Sequence, residues 1–309
     1  MAVTTRDVVA QALGGRRFDI RGYLFEGMLL LALLVALGIL VTLLTDVLVR
    51  AMPVLAERGG DFLTSNMSAR ADRAGVLQGI VGSISLMVFV VVLAFPTGVA
   101  AAVYLEEYAR DTPLTRFLNT VIRNLAGVPS IVYGLLGLAV FAVLLGNVTG
   151  PERAGRSLMT GGLTLAILVL PIVIITAAEA LRAVPNTIRE AAFGVGATRW
   201  EVIRSHVLPY AAPGILTGTI LSLARAFGET APLIMVGAVT GGFAFTARDP
   251  VDALQGPYTA LPTMIFSWAR QPGADFRANT AAAIVVLLAV LLIVNATAII
   301  LRNRYDRRW

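Results

Sequence analysis

The chain has 309 residues, 57% of them hydrophobic and only 14% charged, with a mean hydropathy of +0.79. A soluble domain carries about a quarter charged residues, so this composition excludes an ordinary water-soluble fold. All 25 basic residues are Arg, and the +6 net charge is scattered over termini and loops without a basic domain or reader motif, which argues against nucleic-acid binding.

Cysteine is absent and there is one histidine, His206, so neither a disulfide framework nor a thiolate or His-rich metal centre is expected. The reading of His206 is a solvated or interfacial side chain. No Walker A sequence is possible either, because the chain has no lysine. Any ATP chemistry must come from another polypeptide.

About 20 apolar residues are needed to cross roughly 30 Å of hydrocarbon, and six stretches qualify. In chain order they are Gly27 to Val49, Val76 to Tyr104, Asn124 to Val148, Ser157 to Ala178, Tyr210 to Val239 and Asn279 to Leu301. The first follows a polar, Arg-bearing segment (residues 1–26) and is too long for a cleaved signal peptide, so it is expected to remain in place. With both ends cytoplasmic, fifteen arginines fall on the inside and nine outside, Arg225 being within a span. Positive charge is retained on cytoplasmic flanks, so both termini, including the tail 302–309, are expected on the cytoplasmic side of the inner membrane.

Pro96, Pro129, Pro171 and Pro232 interrupt the second to fifth spans and predict kinks, either as packing adjustments or as a gate. Gly127, Gly134, Gly137, Gly214 and Gly218 predict close helix crossings. Residues 241–278, rich in proline and glycine, predict an extracytoplasmic loop around a short interfacial or re-entrant helix, with Trp268 near headgroup depth.

Between the fourth and fifth spans lies the loop 185–209. Asn186 or Thr187 is expected to cap a short helix that Gly196 ends, and Thr198 to cap a second that stops at Pro209. Ile188, Ala191, Ala192 and Val195 recur at helical spacing on the first helix, as do Trp200, Ile203 and Val207 on the second. So much apolar surface on so short a loop packs either on its own bundle or in a partner's groove. In the fifth span, Arg225 and Glu229 stand four apart, on one helix face. A charge at mid-bilayer costs roughly 2.5 to 3.5 kcal/mol, so the pair is either a self-neutralising structural contact or a pore-facing site for an ionic substrate.

Two motifs carry a resemblance. Glu190-Ala191-Ala192, Gly196 and Leu208-Pro209 fall in the register of the EAA loop of ABC importer permeases, with His206 where that family has Ile. Arg225-Ala226, a residue, Gly228-Glu229-Thr230, together with Gly127-Val128-Pro129-Ser130 and the following residues to Leu135, resembles the phosphate-transport permeases PstA and PstC. Ala231-Pro232 and Ala260 to Trp268 lean toward PstA. The resemblance covers about residues 75–301.

It implies an all-α integral membrane fold, a six-helix bundle of the type-1 ABC importer, MetI-like class, with the transmembrane domain over 76–301. It implies ATPase-coupling residues Glu190, Ala191, Ala192, Gly196, Leu208 and Pro209, and substrate-pathway residues Arg225, Glu229 and Thr230. The implied partners are a homologous PstC-like permease, a PstB-like ATPase dimer that binds ATP and Mg, an extracytoplasmic PstS-like phosphate-binding protein and membrane lipid. The chain itself is expected to be neither an enzyme nor a cofactor carrier. Import of another oxyanion or small solute, and an ATPase-independent secondary transporter, remain alternatives, although no inverted repeat is visible.

Overall fold

The computed structural model describes residues 20–238 and 249–305, and every regular element among them is helical. The chain divides into two units, Met1–Val49 and Arg50–Trp309. The first contributes the opening part of α1 (Ile20–Thr64), an apolar stretch whose large side chains are exposed. α1 has 45 residues, with Pro53 inside it, and so extends beyond the span expected at Gly27 to Val49 at both ends. The expectations for residues 1–19, 239–248 and 306–309 lie outside the described residues.

The second unit is a bundle built around α5 (Leu158–Arg182), which is apolar on all sides as a central helix must be. Ser157 caps it, its hydroxyl accepting from the Thr160 amide at 3.2 Å. α2 (Leu77–Val103) packs along α5 on one side and α8 (Leu208–Gly228) on another, while α12 (Ala274–Tyr305) lies against α8. In lipid no hydrophobic force pulls helices together, so close approach through small residues does much of the work. A β-carbon added at Gly137 would strike Thr164, one at Gly214 Ala180, one at Gly218 Thr176, and one at Gly134 would lie 2.7 Å from Pro232 Cα. Those four expected crossings are present. Gly127 is different: it meets no neighbouring helix and ends α3 (Pro113–Ala126).

That ending changes the third span. Gly127-Val128-Pro129 turns the chain by 102° between α3 and α4 (Ser130–Gly137), which continues as a wide helical turn to Leu144. Proline disfavours helical geometry in the residue before it and lacks an amide hydrogen, so Pro129 starts a helix rather than kinking one. The expected stretch Asn124 to Val148 therefore holds only the end of α3; the bent pair runs from Pro113 to Leu144, and its first arm, α3, is amphipathic with no buried residue. Among the described residues five helices are long and apolar enough to span, or six if this pair counts as one.

The fifth span is broken as well. α8 stops at Gly228, and α9 (Ala231–Met235) begins anew with Pro232 in its first turn. Within residues 249–278, α10 (Pro250–Gln255) precedes α11 (Leu261–Ala269), whose Leu261 amide donates to Ser83 Oγ of α2 at 2.9 Å. Trp268 is buried between Phe62 and Phe276, with ring centroids 6.2 and 6.4 Å away. Its ring is an anchor inside the bundle.

Candidate functional site

Two groups of residues singled out in the sequence occupy separate places in the fold. The first is the 185–209 loop. α6 (Asn186–Gly194) ends in a Schellman motif: the Gly196 amide donates to Phe193 O at 2.9 Å and the Ala197 amide to Ala192 O at 3.1 Å. Gly196 has φ +88°, a left-handed conformation that costs an L-residue roughly 1–2 kcal/mol. Thr198 then caps α7 (Arg199–Val202), accepting from the Glu201 amide while its own amide donates to Glu201 Oε2 at 2.7 Å.

The loop's two other boundaries differ from the sequence reading. Pro185, not Asn186 or Thr187, holds the N-cap position of α6, without a side-chain cap. Asn186 Oδ1 instead accepts from Arg189 at 3.3 Å. Pro209 does not stop the second helix: α7 passes through a wide turn, Ile203–Val207, directly into α8. The Leu208 amide reaches back five residues to Ile203 O, a pattern that accommodates a following proline that cannot donate.

The apolar surface of the loop faces two ways. Ala192, Val202, Ile203 and Val207 are buried, and Ala192, Val202 and Val207 pack with Leu181, Ala211 and Ile215 of α5 and α8. Phe193, Val195 and Trp200 stand exposed, Val195 at 86%. Glu190 and Ala191 are also exposed, whereas Leu208 is half-buried and Pro209 exposed. Of the motif's two alanines, then, Ala191 faces outward and Ala192 packs on the bundle.

The sequence reading missed the acidic pair that holds this loop, Glu106 and Glu107, in the wide turn Tyr104–Tyr108 that closes α2. Arg182 donates to both Glu106 oxygens, at 2.8 and 2.5 Å. Arg189 donates to Glu107 Oε1 at 2.7 Å, and Glu107 is buried. Two adjacent acids closing an apolar run were the available signal. Their partners stand about 80 residues away and only the fold brings them near.

The second group sits at the broken fifth span. Arg225 lies in the last turn of α8, while Glu229 has φ −72° and ψ 127° and is outside the helix. The shared helix face expected for this pair is therefore interrupted at Gly228. The side chains still meet, Arg225 Nε lying 3.6 Å from Glu229 Oε1. That spacing is electrostatic contact rather than a hydrogen bond, and among the described residues the Arg225 guanidinium makes no hydrogen bond. Arg225 is 50% exposed and Glu229 16%. Thr230, half-buried, bridges the break, its carbonyl accepting from the Ile234 amide at 3.1 Å. Among the described residues no group of three or more His, Asp or Glu side chains could hold a metal ion.

Residues 94–309 match the family described as "Binding-protein-dependent transport system inner membrane component". The chain is similar to the probable ABC transporter permease protein YqgI of Bacillus subtilis, at 30% identity over 85% of this chain and 90% of that protein. It is 35% identical to the phosphate transport system permease protein PstA of Pasteurella multocida, over 72% and 74% of the two chains. The phosphate transport system permease protein PstC of Mesorhizobium japonicum is 29% identical over 95% and 93%. In fold it is similar to a bacterial ABC transporter involved in the import of alginate, with a TM-score of 0.65 at 16% identity, covering 93% of this chain and 97% of that one. A second fold match is the inward-facing MetNI methionine ABC transporter, with a TM-score of 0.57 at 17% identity, covering 75% and 98%. The chain therefore belongs to the binding-protein-dependent transport system inner membrane components and is a non-catalytic, multi-pass permease subunit of an ABC importer.

Proposed function

We propose that this permease imports inorganic phosphate, as a PstA-like subunit beside a homologous PstC-like permease. A PstB-like ATPase dimer supplies the hydrolysis of ATP with Mg, and a PstS-like extracytoplasmic protein delivers the substrate. The observation that carries this reading is the Arg225–Glu229 pair at the break of the fifth span. A guanidinium that approaches its carboxylate at 3.6 Å and makes no hydrogen bond among the described residues keeps its N–H donors for a planar, two-point hold on an oxyanion. Glu229 tempers that hold, so the anion is attracted without being trapped, and the Thr230 hydroxyl is an additional donor. The relatives named for phosphate transport support the same substrate. In this reading Glu190, Ala191, Gly196 and the exposed Phe193 and Val195 meet the ATPase, both termini are cytoplasmic, and Leu208-Pro209 starts the helix that carries the movement inward.

The test is uptake of radiolabelled phosphate by cells in which this chain is replaced by variants, with membrane abundance measured alongside. Arg225→Gln is expected to abolish uptake, and Arg225→Gln with Glu229→Gln is expected not to restore it. A purely structural pair would behave otherwise, because removing both charges leaves none uncompensated while removing one leaves its partner alone. Near-normal uptake by the double variant returns the pair to structure. Uptake of sulfate or molybdate in place of phosphate would transfer the proposal to another oxyanion.

A further inference from the structure

The wide turn Tyr104–Tyr108 engages three arginines with three consecutive side chains. Glu106 takes Arg182, from the last turn of α5. Glu107 takes Arg189, on α6. The Tyr108 ring lies under Arg199, the first residue of α7, 5.1 Å from the guanidinium carbon to the ring centroid. Side chains of successive residues in an α-helix fan out by about 100° each and do not face one neighbour together. A turn bonded five residues back, as the Ala109 amide is to Tyr104 O at 2.8 Å, winds less per residue and narrows that fan. The turn thereby presents one residue each to α5, α6 and α7.

Arg189 is the centre of the arrangement. Besides Glu107 it donates to the carbonyl of Leu181, in the last turn of α5, at 3.0 Å, where the Val184 amide also donates at 3.3 Å, and to the carbonyl of Val184, just beyond that helix, at 2.8 Å. A cation there also complements the helix dipole. One guanidinium, 18% exposed, thus joins the end of α2, the end of α5 and the first turn of α6.

We propose that Glu107 and Arg189 are positioning residues that make α6 move as one body with α2 and α5, with Glu106–Arg182 and Tyr108–Arg199 as outer stays. This rests on the reading above that α6 docks on the ATPase. Their task is to convert a displacement of α6 into a displacement of the bundle. An unclamped α6 would follow the ATPase alone.

The experiment uses the complete reconstituted complex. The chain has no cysteine, so introduced cysteines label uniquely within it. A cross-link from Val195→Cys to the ATPase subunit establishes docking first, and its absence in otherwise unaltered complexes removes the docking reading and the proposal with it. Spin labels at Thr112→Cys and Gly194→Cys then report the distance from the α2 end to α6 with and without ATP. The expected result is one narrow distance in both states, and a distribution broadened by Glu107→Gln. In the same variant, stimulation of ATP hydrolysis by the loaded binding protein is expected to fall roughly tenfold, within the usual range of site-to-site coupling, while the ATPase stays bound. Unchanged distances and stimulation in Glu107→Gln would overturn the proposal. So would loss of the ATPase from that complex, which would make the pair a folding contact. The distance readout needs no transported substrate, so it stands apart from whether phosphate is the cargo.

Discussion

At the scale of single residues, the glycines at the crossings are the most constrained positions. Gly218 faces Thr176 and Gly214 faces Ala180, so α8 and α5 approach closely over about one turn. Gly218→Val is expected to lower stability by about 1–3 kcal/mol, the usual cost of forcing extra methyl groups into a packed contact. Gly194→Ala, at a site with nothing within 4 Å and in a helix, should leave stability unchanged or slightly raised. Thermal denaturation of the detergent-solubilised complex compares them, and equal midpoints for Gly218→Val and the parent would mean that the crossing is not tight. Three hydroxyls in the same helices are satisfied within them: Thr176, Thr219 and Ser222 each donate to a carbonyl four residues back, at 3.0, 2.8 and 2.8 Å.

At the scale of elements, the 185–209 loop shows what spacing conveys and what it hides. The caps at Gly196 and Thr198 are legible because local chemistry fixes them: a left-handed residue closes α6 and a capping box opens α7. Which side each apolar residue faces is not local. Ala191 and Ala192 share a sequence stripe, yet only Ala192 is buried. Ala192→Arg therefore disturbs the chain's own bundle, whereas Val195→Arg disturbs only what docks from outside. Co-purification of the ATPase is expected to be lost in Val195→Arg while the permease stays folded and inserted. Retention of the ATPase at normal stoichiometry would place the docking surface elsewhere. Gly196→Ala should give an intermediate effect, because its cost of roughly 1–2 kcal/mol falls on the turn and not on the contact.

At the scale of the whole molecule, arginine asymmetry leads to an expected topology in which the 185–209 loop is cytoplasmic and the turn after α1 is outside. In intact cells an impermeant thiol reagent should label Asn66→Cys and spare Thr198→Cys until the membrane is opened. Thr198 is exposed, so protection of its cysteine replacement would come from the membrane and not from burial in this chain. Labelling of Thr198→Cys in sealed cells would invert the arrangement.

The sequence by itself determined that this is a multi-span helical membrane protein, because hydrocarbon leaves a chain few ways to satisfy its backbone and demands long apolar runs. It also marked the short segments whose conformation depends on neighbours within a few residues, such as the caps of α6 and α7. The tertiary structure decided the rest. Pro129 and Pro232 each read as a kink, yet both begin new helices, because the surrounding packing supplies partners for the groups a break exposes. The packing of Trp268 is tertiary too: its ring is buried between Phe276 and Phe62, the latter far from it in sequence. Glu107 and Arg189 carried no signal at all as a pair: 82 residues separate them, and a contact at 2.7 Å is created only when α2 and α5 lie side by side.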